Sequence, residues 1–270
     1  MNLSFQSIDT FCAGIDLAQD RPVVDLSLLE FVELFAVIYL GQFIRYHNRR
    51  GKLFQVKMPP EDSRVRKYLA RIRFWERFNF SAEMVKREGM LRFTSPTSLN
   101  DIVDLLPHPY VGEETSELVR EVLARSSVRV DTDAVLEVAA ELCDNFAQHA
   151  RTDLATLAVQ YYPKIRQFAV AVGDCGLGIR QTLCENPEYA YLGARTHAEA
   201  IVKAFEPMVS RRKEGGTGLT ILRDCALRLG GSLRLASNDG FYYIGEGREL
   251  MGKQACELPG VQVEMLFPEE

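Results

Sequence analysis

Residues 133–149 read Asp-Ala-Val-Leu-Glu-Val-Ala-Ala-Glu141-Leu-Cys-Asp-Asn145-Phe-Ala-Gln-His149, and the stretch after them closes on Phe168-Ala-Val-Ala-Val-Gly-Asp174-Cys-Gly176-Leu-Gly178. Val135, Val138, Ala139, Leu142 and Phe146 recur at helical spacing and predict a helix over about 133–150 with one apolar face. Glu141, Asn145 and His149 stand four residues apart, so they share a different face of that helix. A solvated face is usually built from Glu, Lys and Arg. Asn lowers helix propensity, so its presence in a row with a carboxylate and an imidazole asks for another reason. The plain alternative is a polar outer face carrying one histidine.

Working outward, two strands are expected near 154–162 and over 165–172, with Tyr161-Tyr-Pro-Lys turning between them. The second strand ends directly in Asp174, which can hold a carboxylate at the mouth of a pocket. The glycines after it allow a sharp turn and close approach of the backbone to a ligand. A dinucleotide fingerprint would need a third glycine where Gln181 stands. Further on, Glu214-Gly-Gly216-Thr217-Gly218-Leu219 opens a helix running to about Leu229. Free amides at such a helix start, backed by the helix dipole, favour an anion such as phosphate, and Arg211, Arg212 and Lys213 lie just upstream. The lysine-bearing pattern of a P-loop is missing. A helix is expected over 114–125, and strands over Ser232–Ser237, Phe241–Ile244 and Val261–Phe267. Helices first and strands later, with neighbouring strands antiparallel, predict an α+β layer sandwich rather than a doubly wound sheet.

The N-terminal part reads differently. Pro22-Val-Val-Asp-Leu-Ser predicts a strand, Leu29, Val32, Phe35, Tyr39 and Phe43 a helix over 29–50, and Lys52–Met58 another strand. Asp62 or Ser63 caps a helix that carries Val65, Tyr68, Leu69, Ile72 and Trp75. Two strands joined by a helix should lie parallel. Met90-Leu-Arg-Phe reads as a further strand, and 89–113 as the linker between an N-terminal domain, 1–88, and a C-terminal domain, 114–270.

Composition narrows the function classes. The 270 residues are 47% hydrophobic and 26% charged, which excludes general disorder. With 32 basic against 37 acidic residues the net charge is −5, so nucleic acid is not the expected partner. The cationic run from Arg64 to Arg77, interleaved with Tyr68, Phe74 and Trp75, reads as the solvated face of an amphipathic helix or a contact for an acidic partner. No leader peptide is read at the N-terminus, and the apolar run 31–40 is too short to cross a bilayer, so no membrane is expected. Six cysteines without CxxC pairs point to reduced thiols in a cytoplasmic protein rather than to zinc or a disulfide scaffold.

Taken together, the three polar segments resemble the GHKL ATPase superfamily, which includes histidine-kinase catalytic domains and anti-sigma kinases. Glu141 and Asn145 match its N box, Asp174-x-Gly176-x-Gly178 its G1 box, and Gly216-Thr217-Gly218-Leu219 its G2 box, over roughly 110–268. The resemblance implies a Bergerat-type α/β sandwich binding ATP and Mg²⁺. It assigns Asn145 to the metal, Glu141 to general base catalysis, His149 to the neighbourhood of the phosphates and Asp174 to the adenine amino group. Gly176 and Gly178 would hinge a lid over 180–214, and Gly216, Thr217, Gly218 and Leu219 would hold the phosphates. Pro259-Gly260-Val261 stands where many relatives have Gly-Thr, and the missing threonine hydroxyl weakens one expected polar contact to the nucleotide.

Val23-Val-Asp-Leu-Ser, Phe31-Val-Glu33-Leu34-Phe35 and Gly51-Lys-Leu-Phe-Gln-Val are in turn similar to a STAS domain of the anti-sigma-antagonist type, with the same β-α-β-α order. The family phosphoacceptor serine falls at Leu34 or Phe35, neither of which has a hydroxyl. The module is therefore expected to dock a protein partner rather than accept phosphate. The combined expectation is a Mg²⁺-dependent, ATP-binding regulator with ATPase activity or serine/threonine kinase activity of the anti-sigma-factor type, a homodimer being compatible with the superfamily. The alternative is an ATP-gated interaction switch that does not turn over. A histidine-kinase fragment fits less well: His47 lacks an acidic neighbour and His108 sits between prolines. His197-Ala-Glu199 echoes a zinc deaminase, but no Pro-Cys-x-x-Cys follows.

Overall fold

Two rows of apolar side chains cross the C-terminal sheet. Leu157, Val172, Val263 and Leu235 stand opposite one another on four neighbouring strands, and so do Val159, Val170, Met265 and Leu233. The computed structural model describes residues 1–78, 100–105, 111–152, 155–210 and 218–270. The chain divides into two compact units, Met1–Thr97 and Ser98–Glu270.

In the first unit β1 (Asn2–Leu3) and α1 (Ile8–Ala13) precede β2 (Val23–Asp25), β3 (Phe31–Val32), α2 (Leu34–Asn48) and β4 (Gln55–Lys57), followed by α3 (Arg64–Arg71) and α4 (Phe74–Arg77). Strands β2 and β4 pair in parallel with α2 between them, the arrangement expected from a strand–helix–strand order. A second parallel pair, β1 with β3, makes a separate two-stranded sheet. It also shortens the expected helix: Phe31 and Val32 are taken by pairing with Asn2 and Leu3, so α2 begins at Leu34 rather than near Leu29. The Glu33 carboxylate accepts the Phe5 amide at 3.0 Å, tying the helix start to the N-terminal strand. From Leu34 to Arg45 every residue of α2 is buried, as for a helix enclosed on all sides. Ser63 caps α3 by accepting the Arg66 amide at 3.1 Å. The single helix expected through Trp75 breaks instead at Ile72–Arg73, where Arg73 takes a φ of 57°.

The second unit contains β5 (Asn100–Leu105), α5 (Val111–Ser126), α6 (Thr132–His149), β6 (Ala155–Tyr162), β7 (Gln167–Asp174) and α7 (Ile179–Cys184). A 3-10 stretch (Pro187–Ala194), α8 (His197–Ala204), α9 (Gly218–Leu229), β8 (Ser232–Gly245) and β9 (Arg248–Pro268) complete it. Five antiparallel strands lie in the order β5-β6-β7-β9-β8, with helices packed against the face that carries the two apolar rows. This is the α+β class expected, with its neighbouring strands antiparallel. The linker expected over 89–113 is not one throughout. Residues 100–105 form an edge strand against β6 and α5 begins at Val111, because alternating backbone pairing with Ala155–Gln160 outweighs the weak local signal. The strand read at Met90–Phe93 lies outside the described residues.

The opposite face of the sheet is also buried, but its rows are small and polar. Ala158, Ala171, Glu264 and Arg234 form one, Thr156, Gly173, Gln262 and Ala236 another. Glu264 is fully buried and pairs with Arg234 at 2.9 Å. Strands β8 and β9 run on past this sheet as a long hairpin, turning at Glu246-Gly247 with φ of 51° and 69°. The two strands expected at 232–237 and 241–244 are thus one, interrupted by a bulge at Asn238. Among the described residues no helix is long and apolar enough to cross a membrane.

Candidate functional site

Helix α6 starts where the Asp131 carboxylate accepts the Ala134 amide at 3.0 Å, and its apolar face, including Val135, Val138, Leu142 and Phe146, enters the core. That fixes the rotation of the helix and leaves Glu141, Asn145 and His149 half-buried on another side. Glu141 and Asn145 touch. The Asn145 Nδ2 donates to the Glu141 backbone oxygen at 2.9 Å and to Glu141 Oε1 at 2.7 Å. Burial raises the Glu141 pKa, with Asp144 and Glu137 adding to the rise and the Asn145 hydrogen bond opposing it. His149 is the last residue of the helix.

The loop after β7 packs onto the end of the same helix. Leu177 donates its amide to the Ala150 carbonyl at 3.0 Å, and Gly176 lies so close that a Cβ there would stand 1.8 Å from the Ala150 oxygen. Gly178, at φ 79°, leaves room for the Asn238 side chain, whose Oδ1 would lie 2.0 Å from an added Cβ. Ser237 Oγ accepts the Ile179 amide at 3.0 Å beside it. These glycines therefore have a packing reason to be glycine, where hinging was expected of them.

Asp174 closes β7 with only 4% of its surface exposed. Its Oδ1 accepts the Gly176 amide at 2.7 Å, and the Val261 amide also donates to the carboxylate. Burial dominates both bonds and lifts the Asp174 pKa from 3.8 to about 7. Two neighbours were not singled out for this role from the sequence. Gly260, at φ 97°, would drive a Cβ to 2.3 Å from the Asp174 carbonyl oxygen, and Gln262 Nε2 donates to that same oxygen at 2.8 Å.

The third segment is described from Gly218 onward; Gly216 and Thr217 lie outside the described residues. Gly218 is the first residue of α9, Leu219 packs against the core, and Thr220 Oγ1 donates to the Phe205 carbonyl at 3.1 Å. Helix α9 lies against α6. Arg228 pairs with Asp131 at 3.6 Å. Ten residues on from Asp131 is Glu141, and ten residues back from Arg228 is Gly218. With a rise of about 1.5 Å per residue, each lies about 15 Å along its own helix from that pair.

The expected lid over 180–214 is corrected over its described part. Leu183, Leu192, Ile201 and Phe205 belong to the core, and α8 packs on β8. Segments that open are poor in such buried contacts. Thr196 and Glu199 further pin the start of α8 with a capping box.

Among the described residues no group of three or more His, Cys, Asp or Glu side chains could hold a metal. A cation beside Asn145 would depend on the Asn145 Oδ1 and on phosphate oxygens, the mixed set that Mg²⁺ accepts. The chain matches no protein-family model and none of the curated proteins.

Proposed function

We propose that the second unit is a GHKL-type domain that binds ATP with Mg²⁺, and that the whole chain is a regulatory protein with ATPase activity or serine/threonine kinase activity of the anti-sigma-factor type. The observation that carries this reading is the common destination of three elements on one helix. Asn145 and Glu141 touch on α6, the loop that follows Asp174 seats on the end of α6 at Ala150, and α9, which Gly218 opens, packs against α6. Asp174 in its ionised form only accepts, and with a carboxamide oxygen and a helix start it suits, respectively, an adenine amino group, a cation and phosphates.

In this reading bound Mg²⁺ neutralises phosphate charge. Asn145 offers it an oxygen, Asp174 accepts a hydrogen bond from the exocyclic amino group of adenine, and the α9 start, with Gly216, Thr217, Gly218 and Leu219, holds the phosphates by backbone amides. Guanine presents an oxygen where adenine has that amino group, so the ionised form of Asp174 disfavours it. Glu141 has a second carboxylate oxygen beyond the one bonded to Asn145, and this is the atom to take a proton from an attacking hydroxyl or water. His149, at the helix end, lies near the phosphates.

The first unit is read as a STAS-like module that docks a protein partner in the cytoplasm. Its parallel β2–β4 pair with α2 between supports that order, and Leu34 and Phe35, at the phosphoacceptor position of the family, are both fully buried.

A calorimetric titration of the full chain tests the nucleotide assignment. ATP with Mg²⁺ should bind and GTP should not, and Asp174→Ala should abolish the ATP signal while the protein stays folded. Absence of heat with ATP, or equal binding of GTP, ends this reading. A second reading is an ATP-gated switch without turnover. The engagement of Glu141 by Asn145 favours it, and negligible phosphate release alongside nucleotide-dependent partner affinity would select it.

A further inference from the structure

The orientation of the Asn145 carboxamide is dictated by what faces it. Both neighbouring atoms, the Glu141 carbonyl oxygen and the Glu141 Oε1, accept hydrogen bonds, at 2.9 and 2.7 Å from the same nitrogen. An amide oxygen turned toward them would meet two acceptors with no proton between, so the nitrogen must point inward and Oδ1 outward. The carboxylate bond is the shorter of the two and is charge-assisted, which makes it the stronger. The carbonyl of Glu141 has another claim on it, because it sits within the helical ladder of α6. Without the carboxylate the Asn145 side chain would keep only a shared acceptor and regain rotamer freedom.

Resting on the nucleotide reading, we propose that Glu141 is a positioning residue for Asn145: its carboxylate holds the amide nitrogen so that Oδ1 is pre-set as the oxygen ligand for the cation that arrives with the nucleotide. This role is separate from proton abstraction. A general base at 141 would act on the attacking group alone and leave the cation-dependent part of nucleotide affinity untouched. A positioning residue sets that part and leaves cation-free affinity alone.

The test is calorimetric titration of the full chain with ATP, once with Mg²⁺ and once with EDTA, for the native protein, Glu141→Gln, Glu141→Ala and Asn145→Ala. The ratio of the two affinities is the quantity read. Gln keeps an acceptor oxygen at the same reach, so Glu141→Gln should retain the native ratio within about twofold. Glu141→Ala should lower the ratio about fivefold or more, the scale of one lost hydrogen bond, with EDTA affinity unchanged. Ala is the better helix former, so this variant should fold, and circular dichroism checks it. A native ratio in Glu141→Ala, while Asn145→Ala loses it, overturns the positioning role and leaves the nucleotide reading standing. A native protein whose ATP affinity is indifferent to Mg²⁺ overturns both.

Discussion

Gly176 and the carbonyl of Ala150 meet with no space for a side chain between them; a Cβ on Gly176 would fall 1.8 Å from the Ala150 oxygen. The obstacle is backbone, which cannot rotate aside as a side chain would. Gly176→Ala must therefore push the loop after β7 off the end of α6. The expected cost is about 3 kcal/mol or more, in the range of severe overpacking. Urea unfolding of the variant, set beside the native chain, measures it. A loss under about 1 kcal/mol would mean that the loop yields freely.

Asp174 makes stability depend on pH with a sign opposite to most carboxylates. Its pKa rises from 3.8 to about 7 on folding, so between those values the native state holds a proton that the unfolded chain has released. The contribution of the protonated form is full below 3.8 and is lost as pH rises toward 7, on the order of 4 kcal/mol in all. Other groups titrate in that window, so the comparison is with Asp174→Asn, which has no such proton. The stability difference between native chain and variant should change steadily in disfavour of the native chain from pH 4 to pH 7. A flat difference would mean that the carboxylate is ionised throughout.

Arg234 and Glu264 stand opposite each other on β8 and β9, with the Glu264 side chain wholly buried. Arg234→Met keeps most of the volume and removes the charge that balances a carboxylate out of water. A loss of about 3–5 kcal/mol is expected. Replacing both residues by apolar ones of similar size should restore much of it, and a thermal double-mutant cycle reads the coupling. No coupling beyond about 0.5 kcal/mol would show that the pair does not act as a unit.

A smaller effect belongs to the first unit. Ser63 Oγ accepts the Arg66 amide at 3.1 Å at the start of α3. Ser63→Ala should lower stability by about 1 kcal/mol, Ser63→Asp far less, since the carboxylate can accept the same bond. Equal losses for both variants would remove the cap as the explanation.

Periodicity made α6 readable from Val135 to Phe146 and β7 readable up to its terminal acid, because each has a local pattern that tertiary contacts reinforce. The polar row on α6 could likewise be seen as a row, although the bond between Glu141 and Asn145 could not. What escaped was non-local. Phe31 and Val32 looked helical by spacing but are claimed by pairing with residues about thirty positions earlier. Asn100–Leu105 has weak strand character by itself and is a strand because β6 lies beside it. Asn238-Asp239-Gly240 has the composition of a turn, yet the strand continues through it as a bulge. Gly176 and Gly178 drew attention as flexible points, whereas their contacts with Ala150 and Asn238 make them points of contact. A lid over 180–214 was expected from the family resemblance, and the buried Leu183, Ile201 and Phe205 within it show up only once the sheet they lie on is known.

Glu141 lies ten residues after Asp131 in α6 and Gly218 ten residues before Arg228 in α9, and Asp131 and Arg228 pair at 3.6 Å. Spacing of this kind is indifferent to many exchanges of side chain along either helix but not to chain length. One residue inserted after Asp131 or before Arg228 would swing everything beyond it by about 100° and slide it about 1.5 Å.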